Sequence, residues 1–402
     1  MKVLFLLNGL THYVIPVLNK LNSTEGIEII CIAQTDKAHN VGKGVFLTKE
    51  GIEFKVYFLK EKRRFYGKTF FEGTSSVILI EAPQVIVLGW PYILELVFNP
   101  ILLVRIKMKG IRIAFKEIPF QVQSFPDAIR FKPTNFINED LSVRNESFFQ
   151  KIHNLLVALI RRYYYHFIIN IHLNYLEDSY QLLKSFGVKR EHIFVIYNSP
   201  DTDSLFQAKI NSEMLGPILP YNKDRIIHVG RLVKWKKVNM LIHAVNDLKF
   251  RLPEIELIVI GDGPERNQLK LVAESLGISK KVIFVGSVYD PVILGRYFLS
   301  SSVYVLAGMG GLSINEAMLF GKPIICSVCD GTEKKLVRNN YNGFIFDSED
   351  INDLEEKIFT LLSDEKRIKD YSINSLSIIE KEINVHTVIN GYLEAFRYLT
   401  SK

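Results

Sequence analysis

Residues 225–248 read RIIHVGRLVKWKKVNMLIHAVNDL, and this stretch contains the strand, turn and helix from which the fold is inferred. The apolar run Arg225–Val229 predicts a buried strand, and Val238–Leu248 has the amphipathic pattern of a helix. The turn between them starts at Gly230, and two cations six residues apart, Arg231 and Lys237, flank it. A strand that leads through a short turn into a helix is the repeating unit of a parallel α/β sheet.

The same alternation extends in both directions from this unit. In the first half, the predicted strands are Lys2–Leu7, Ile27–Ala33, Glu53–Phe58, Gln84–Leu88, Ile111–Phe115, His166–Ile171 and His192–Ile196, with a helix at Glu177–Phe186. In the second half, the predicted strands Ile255–Ile260, Lys281–Val285, Ser302–Leu306 and Pro323–Cys326 alternate with helices at Glu265–Leu276, Ser313–Phe320 and from Asn352 onward. Such alternation predicts parallel strands joined by crossover helices.

The chain length of 402 residues is too great for one ordinary hydrophobic core. Two prolines and a glycine within Met214–Asn222 indicate a linker. We therefore predict an N-terminal domain over 1–205, a linker over 206–222, a C-terminal domain over 223–382, and a helix over 383–402 that returns to the first domain. The predicted class is α/β, with two Rossmann-like domains that face each other across a cleft, and ligands at the carboxyl ends of the strands.

Composition and charge narrow the class of protein. Hydrophobic residues make up 48% and charged residues 23% of the chain, as in globular proteins. The net charge is +7, and residues up to Leu205 hold 25 Lys/Arg against 19 Asp/Glu, whereas the remainder holds 25 against 24. An excess of +6 in the first part favours an anionic partner such as a membrane surface, a lipid phosphate or nucleic acid. A solvated surface that only keeps the protein soluble is the alternative.

Three cysteines are too few for a disulfide framework, which indicates a reducing compartment. Cys326 and Cys329 form a C-x-x-C pair without the second pair that a zinc site needs, so we expect buried structural thiols. The apolar start of the chain ends at Asn8 and Gly9 without a cleavage site, which predicts a first strand and not a signal peptide. No uncharged apolar stretch reaches 18 residues. We expect a cytoplasmic protein, either soluble or peripheral on the inner face of the membrane.

Three segments of the basic first half combine cations with aromatic or apolar residues: Lys60–Lys68, Ile93–Lys109 and Leu155–Tyr165. Basic amphipathic segments lie at bilayer interfaces, and peripheral membrane contact is therefore one interpretation. Core helices with snorkelling ends are an equal alternative. Because no RNA- or DNA-binding module is recognisable, nucleic acid is not an expected partner.

Further patterns follow the predicted strands of the second half. The turn Gly261–Glu265 reads GDGPE, which does not match the dinucleotide fingerprint G-x-G-x-x-G. Gly286 ends the next strand. The glycine-rich run 307–311 opens into a helix, and backbone N–H groups at such a point bind anions such as phosphate. Glu316 follows within the first helical turns, where a carboxylate could accept two hydrogen bonds from a ribose diol.

In order and spacing, these patterns resemble the retaining glycosyltransferases of family 4, which have the GT-B fold. That family reads G-R-L-x-x-x-K-G, G-D-G-P-E, E-G-F-G-L-x-x-x-E-A-M, G-x-P-V-I, G-x-x-E and N-G-F. The matching runs here are Gly230–Leu232 with Lys237, Gly261–Glu265, Gly311–Leu312 with Glu316–Met318, Gly321–Ile325, Gly331–Glu333 and Asn342–Phe344. We assign the motif lysine to Lys237, with Val238 in place of the following glycine. The resemblance covers about residues 225–350; the first half shares only the strand pattern and Ile196–Asn198.

The resemblance implies the roles of the site residues. Arg231 and Lys237 would neutralise the donor pyrophosphate, Glu316 would hold the ribose, and the amides of Gly311, Leu312 and Ser313 would bind the distal phosphate. Gly9, Gly261 and Gly286 would complete the donor site. Gly308 stands where the family has a glutamate that contacts the donor sugar.

The first half offers fewer candidates. Glu117 follows the strand Ile111–Phe115 and is the candidate for the reacting end, together with Arg231 and Lys237. His12, in the first strand-to-helix turn, is another candidate, whereas His172 is predicted to be structural.

These features predict transfer of a sugar, with retention, from a nucleotide diphosphate donor to a growing glycan, either free or lipid-linked. No cofactor and no metal is expected, because Arg and Lys can stabilise the departing diphosphate as a metal does elsewhere. Asp201–Asp203 resembles the D-x-D metal motif of another glycosyltransferase fold but lies beside the predicted linker. The alternatives are a GT-B-fold nucleotide-sugar epimerase and, because of Gly308, a non-catalytic relative that acts as a binding subunit.

Overall fold

The computed structural model describes residues 1–34, 48–64, 67–118, 122–132, 146–328 and 331–401. These residues form two compact units. The first unit holds the described residues of 1–197 together with residues 386–401, and the second holds Asn198–Val385. Each unit is built around its own parallel sheet.

The first unit consists of a parallel sheet, a small antiparallel pair and flanking helices. Its parallel strands are β1 (Lys2–Leu6), β2 (Glu28–Gln34), β3 (Lys55–Leu59), β6 (Val85–Leu88), β7 (Arg112–Glu117), β8 (Ile171–Asn174) and β9 (Ile193–Val195), and the antiparallel pair is β4 (Glu61–Arg63) and β5 (Thr69–Phe71). The helices are α1 (Val14–Asn22), α2 (Thr74–Glu81), α3 (Ile93–Phe98), α4 (Pro100–Met108), α5 (Phe125–Ile129), α6 (Phe148–Phe167), α7 (Ser179–Ser185) and α16 (Val385–Thr400). The strand order is β3-β2-β1-β6-β7-β8-β9.

The second unit has the same construction. Its strands are β10 (Arg225–Val229), β11 (Glu256–Ile260), β12 (Val282–Gly286), β13 (Val303–Leu306), β14 (Ile324–Ser327) and β15 (Gly343–Phe346). Its helices are α8 (Thr202–Leu215), α9 (Val238–Leu248), α10 (Arg266–Ser275), α11 (Pro291–Leu299), α12 (Ser313–Leu319), α13 (Glu333–Leu336), α14 (Ile351–Leu362) and α15 (Glu365–Lys381). The strands are parallel in the order β12-β11-β10-β13-β14-β15.

The central strands of both sheets are buried on both faces, which explains why they read as continuous apolar runs. Val3, Leu4 and Phe5 of β1 are buried, as are Val303–Leu306 of β13. The strand Arg225–Val229 and the helix Val238–Leu248 are confirmed. The other predicted elements are present with ends displaced by at most two residues, a normal uncertainty for element boundaries.

One strand prediction, His166–Ile171, is wrong. His166 lies in the last turn of α6, and the strand runs over Ile171–Asn174. Ile168 and Ile169 are buried in the connection that follows the helix, so their apolar character reflects core packing and not a strand. The edge strand β15 was not predicted.

The predicted linker over 206–222 differs from the structure, because these residues lie within the second unit. Most of the run is helix α8, and the hydroxyl of Ser212 donates to the carbonyl oxygen of Val292 in α11 at 2.9 Å. After the helix, the carbonyl oxygen of Gly216 accepts a hydrogen bond from Arg296 Nε at 2.9 Å. The glycine and prolines therefore mark the end of a helix and not a connection between domains. The change of unit occurs earlier, between Tyr197 and Asn198.

The C-terminal residues from His386 onward group with the first unit. Lys116 Nζ, at the end of β7, donates a hydrogen bond to the hydroxyl of Tyr392 at 2.8 Å. The ring of Tyr392 also packs edge-on against Phe5, with 5.9 Å between the ring centroids. A Cβ on Gly391 would lie 3.0 Å from the Cα of Ile196, so this glycine permits close packing of α16.

Within the described ranges, no helix is both long enough and apolar enough to cross a bilayer.

We expect Tyr392→Phe to lower the free energy of unfolding by about 2 kcal/mol, because it removes a hydrogen bond from a charged donor and preserves the ring packing. Urea unfolding followed by circular dichroism measures this change. Tyr163→Phe, at an exposed tyrosine of α6, is the matched control and should leave stability within about 0.5 kcal/mol. Equal effects of the two substitutions would contradict the role given to the Lys116–Tyr392 contact.

Candidate functional site

The turns that follow β10 and β11 run side by side through backbone hydrogen bonds. Leu232 N donates to Asp262 O, and Glu265 N donates to Leu232 O, each at 3.0 Å. A Cβ on Gly261 would lie only 1.8 Å from the carbonyl oxygen of Gly230. Gly261 also has φ +137°, so both the space and the backbone conformation require glycine. Gly286 joins the same group, because its carbonyl oxygen accepts a hydrogen bond from Gly261 N at 2.8 Å.

The turn after β10 also contacts the glycine-rich loop after β13. Met309 N donates to the carbonyl oxygen of Trp235 at 2.8 Å. A Cβ on Gly308 would lie 2.0 Å from that same oxygen. With this backbone, position 308 therefore has no room for a side chain, which gives a physical reason for the glycine where the resemblance leads us to expect glutamate.

The cation beneath this loop is Lys236. Its side chain is buried, and its Nζ donates to the carbonyl oxygens of Met309 at 2.6 Å and Gly310 at 2.8 Å. Nζ also lies 3.5 Å from the position that a Cβ on Gly311 would occupy. Lys236 is thus the lysine that contacts the glycine-rich loop.

The assignment of the motif lysine to Lys237 is therefore corrected. Lys237 Nζ is ion-paired with Glu349 and lies 3.2 Å from the hydroxyl of Ser348. Lys237 also has φ +50°, a left-handed conformation that favours glycine. Counted from Gly230, the pattern G-R-L-x-x-x-K-G puts its lysine at 236 and its glycine at 237. The side-chain contacts and the backbone conformation both agree with that count.

Arg231 lies in the same turn, immediately after Gly230. Its guanidinium carbon is 5.7 Å from the ring centroid of Trp235, within the range of a cation–π contact. The structure therefore brings Arg231, Trp235 and Lys236 into one turn beside the glycine-rich loop.

The start of α12 is held by a tyrosine of β13 that sequence reasoning missed. Tyr304 is buried, and its hydroxyl lies 2.7 Å from Ser313 Oγ and 3.3 Å from the carbonyl oxygen of Val229. These contacts connect the end of β10 with the start of α12. Leu312 and Ser313 follow directly from Gly311, so the predicted amide positions belong to the same segment.

Glu316 is half-buried in the first turns of α12, and burial raises the pKa of its carboxyl to about 7. A carboxyl with this pKa changes its charge near neutral pH. The neighbouring Asn315 is buried, and its Nδ2 has no hydrogen-bond partner among the residues that the structure describes.

A second carboxylate lies beside the glycine-rich loop. Glu333 is fully buried, and its Oε2 accepts a hydrogen bond from Gly331 N at 2.9 Å. Its Oε1 is 2.9 Å from the position of a Cβ on Gly310. The sequence identified Glu333 only as part of a motif, and its contact with the loop is visible only in the structure.

The structure places Glu117 in an internal network of the first unit. Glu117 Oε1 is 3.2 Å from the guanidinium of Arg161, and its other oxygen accepts a hydrogen bond from the hydroxyl of Tyr165. The carboxylate is buried, and both oxygens have partners. This arrangement connects β7 with α6 and contradicts the expectation of an available acid at the reacting end.

The remaining candidates of the first unit are Gly9, His12 and His172. Gly9 is half-buried in the turn after β1, and the ring of His12 packs edge-on against Tyr13. His172 is buried, and burial lowers the pKa of its imidazole to about 3, so the ring is neutral at pH 7. Neither ring nitrogen has a hydrogen-bond partner within the described residues.

The described ranges contain no cluster of three or more His, Cys, Asp or Glu side chains suited to a metal ion. Asp201–Asp203 stands at the start of α8, where Ser204 Oγ donates to Asp201. Cys31 and Cys326 are buried, and Cys329 lies outside the described residues.

Comparison with known proteins identifies the domain that carries this geometry. Residues 217–376 match the family model described as Glycosyl transferases group 1. These residues form a group 1 glycosyltransferase domain. The matched range contains Arg231, Lys236, the glycine-rich loop and Glu316.

Two curated relatives extend the comparison. The chain is 30% identical over 186 residues to an uncharacterized glycosyltransferase of Methanocaldococcus jannaschii, which covers 45% of this chain and 46% of that protein. It is 24% identical over 200 residues to the N-acetylgalactosamine-N,N'-diacetylbacillosaminyl-diphospho-undecaprenol 4-alpha-N-acetylgalactosaminyltransferase of Campylobacter jejuni, with 49% and 50% covered. The chain thus spans about half the length of these relatives.

A solved structure covers the whole fold. Anabaena HepE in complex with UDP is similar over 99% of this chain and 100% of that chain, with a TM-score of 0.68 and 18% sequence identity. At this identity, the similarity shows the fold alone. The fold is GT-B, as the resemblance implied.

The corrected lysine assignment in the group 1 domain can be tested by stability. We expect Lys237→Gly to leave the free energy of unfolding within about 1 kcal/mol of the wild type, because relief of the left-handed conformation offsets the lost contacts of Lys237. Lys236→Met should lower it by about 2 kcal/mol or more, since two backbone carbonyls lose a charged donor. Urea unfolding measures both changes. A larger loss of stability from Lys237→Gly than from Lys236→Met would return the motif assignment to Lys237.

Proposed function

We propose that this chain is a glycosyltransferase that moves a sugar from a nucleoside diphosphate donor, bound by the group 1 domain, to a glycan acceptor. The observation that carries this proposal is the position of Lys236 under the glycine-rich loop, with Arg231 in the same turn and Glu316 in the following helix. Two cations and a carboxylate at the carboxyl ends of neighbouring parallel strands suit a ligand with a diphosphate and a ribose.

The chemistry needs stabilisation of the departing diphosphate, on which negative charge increases as the bond to the sugar breaks. Arg231 can donate to two phosphate oxygens in fork geometry, and Lys236 supplies a compact positive charge. Lys236 takes the role first assigned to Lys237, which is engaged by Glu349. We propose that these cations act without a divalent metal, as the resemblance implies.

The other donor contacts follow from the same geometry. The amides of Gly311, Leu312 and Ser313 would bind the distal phosphate, because backbone N–H groups in a glycine-rich turn accommodate anions. The carboxylate of Glu316 would accept hydrogen bonds from the ribose. Gly261 and Gly286 would border the donor, since their backbones meet through a hydrogen bond at the ends of β11 and β12.

The finer features of the reaction are proposed from the comparisons. The HepE structure is a complex with UDP, and uridine is therefore the first nucleotide to test. The name of the Campylobacter relative contains a diphospho-undecaprenol acceptor, which supports a lipid-linked glycan as acceptor here. Retention of anomeric configuration follows from the resemblance to family 4. A lipid-linked acceptor and a nucleotide donor would both be met at the cytoplasmic face of the membrane.

Donor binding is tested by a thermal-shift series with UDP, GDP and ADP on the full chain. A ligand that binds only the folded state raises the melting temperature, and we expect UDP to give the largest increase. A larger shift with GDP or ADP would contradict the uridine assignment alone. The absence of a shift with all three nucleotides would contradict nucleotide-sugar chemistry altogether.

Catalysis is tested by substitution of the two cations. The substrate for this test is a nucleotide sugar with the base that gives the largest thermal shift. We expect Arg231→Met and Lys236→Met to lower its turnover by about 100-fold or more, a typical loss when one charge-stabilising group is removed. Turnover is measured as release of the nucleoside diphosphate. Lys237→Met is the matched control, with the same change of charge, and should lose less than about tenfold.

Three outcomes would separate the alternatives. Equal losses in Lys236→Met and Lys237→Met would contradict the assignment of Lys236. Nucleotide binding without any turnover would favour the non-catalytic binding subunit, for which Gly308 is the motivation. Conversion of the donor sugar to its epimer, without an acceptor, would favour the epimerase.

We also expect nucleotide affinity to depend on pH through Glu316. The carboxyl is ionised at pH 8 and largely protonated at pH 6, because its pKa is about 7. The ionised form is the better acceptor for a ribose diol, so affinity should fall by up to about tenfold between pH 8 and pH 6. Calorimetric titration with UDP measures the effect. Glu316→Gln should bind more weakly at pH 8 and show a flatter profile; an unchanged profile would exclude Glu316 as the titrating group.

A further inference from the structure

Helices α4 and α6 lie on the same face of the first sheet. They fill the successive crossovers β6–β7 and β7–β8, which advance in the same direction through the sheet, and right-handed crossovers then place both helices on one side. Their inner residues confirm this, because Leu102 and Ile106 of α4 share one core cluster with Ala158 and Tyr164 of α6. The surface formed by the outward sides of these two helices is called the α4–α6 face.

This face exposes large apolar side chains that the core does not use. On α6, Phe149, Leu156 and Tyr163 are exposed at intervals of seven residues, which places them in one stripe along the helix. On α4, Ile101, Val104 and Met108 are exposed at intervals of three and four residues, which forms a second stripe. The apolar residues of α4 and α6 therefore lie on two sides of each helix, inward and outward. An exposed apolar area of this kind marks an interaction surface.

The charge of the α4–α6 face is entirely positive in the two helices. Neither α4 nor α6 contains an aspartate or a glutamate. The exposed cations are Arg105 and Lys107 of α4 and Lys109, which directly follows that helix.

The neighbouring carboxylates are engaged elsewhere. Among the described residues near these helices, Glu95 is ion-paired with Arg64, Asp127 with Lys132, and Glu117 with Arg161. Glu146, which precedes α6, accepts a hydrogen bond from Asn154 at 3.1 Å. These contacts leave the cations of the α4–α6 face without compensation from those carboxylates.

We propose that the α4–α6 face binds the surface of an anionic lipid bilayer. Exposed aromatic and aliphatic side chains enter the interfacial region, and Lys and Arg beside them are attracted to negatively charged headgroups. A second copy of this chain would also cover the apolar stripes. A symmetric dimer, however, would bring two groups of cations together, and such like-charge contact is unfavourable. Charge thus selects the bilayer over self-association.

Two of the three basic segments that the sequence indicated belong to this face. The cation-rich parts of Ile93–Lys109 and Leu155–Tyr165 contribute to the α4–α6 face, and α6 extends it toward Phe149. Snorkelling core helices do not account for it, because the exposed stripes are distinct from the buried residues Leu102 and Ala158. Lys60–Lys68 is not part of the face, and residues 65 and 66 lie outside the described part of the chain.

Co-sedimentation of the full chain with vesicles tests the proposal. We expect binding to vesicles of phosphatidylcholine with about 30% phosphatidylglycerol to exceed binding to phosphatidylcholine alone by about tenfold or more, and to weaken at high salt. The double variant Phe149→Glu/Leu156→Glu should bind the anionic vesicles at least about tenfold more weakly, because it puts two carboxylates in the apolar stripe. Arg105→Gln/Lys107→Gln should lose the preference for anionic vesicles.

The chain offers a closely matched control. Phe250 and Leu271 of the second unit are 82% and 56% exposed, compared with 81% and 52% for Phe149 and Leu156. Phe250→Glu/Leu271→Glu makes the same change of charge and hydrophobicity elsewhere and should bind vesicles as the wild type does. Circular dichroism melting of both variants excludes unfolding.

Two results would overturn the inference. One is equal loss of vesicle binding in the two double variants, or no binding by the wild type. The other is a dimer in analytical ultracentrifugation that Phe149→Glu/Leu156→Glu dissociates, which would assign the face to a second copy of the chain.

Discussion

The ammonium of Lys236 lies beneath the glycine-rich loop and donates to the carbonyl oxygens of Met309 and Gly310. This contact joins the turn after β10 to the loop after β13, and the two strands are neighbours in the sheet. Because the donor is charged and buried, the loop conformation and the position of the cation depend on each other. The turn thereby keeps Arg231 and Trp235 beside the start of α12, where Glu316 is found.

Glycine makes this arrangement possible at the points where backbones meet. A Cβ at Gly261 would overlap the carbonyl of Gly230, and a Cβ at Gly308 would overlap that of Trp235. The glycine at 308 is thus a consequence of how closely the two loops pack. A carboxylate is still present nearby, because Glu333 Oε1 lies 2.9 Å from the position of a Cβ on Gly310. Position 308 therefore differs from the family pattern because of how closely the two loops pack.

The two units use their charged residues in different ways. In the second unit, cations gather at the carboxyl ends of the strands, where an anionic ligand is expected in a group 1 domain. In the first unit, the corresponding acid of β7, Glu117, is bound internally by Arg161 and Tyr165. Arg105 and Lys107, on α4 of this unit, are exposed among exposed apolar residues. The first unit thus pairs the acid of β7 internally and carries a basic, partly apolar surface on α4.

The sequence alone determined the α/β class, most of the parallel strands, the helices of the second unit that flank the candidate site, and the resemblance to group 1 glycosyltransferases. These follow from apolar periodicity and from motifs in which glycine spacing is a local requirement. Tertiary structure decided between Lys236 and Lys237, since adjacent lysines of one turn are distinguished only by where each side chain finds a partner. It also decided that 206–222 packs within the second unit, because small side chains such as Ala208 and Ser212 carry little hydrophobic signal until α11 lies against them. Likewise, only the fold reveals which apolar residues of α6 are core and which are left exposed.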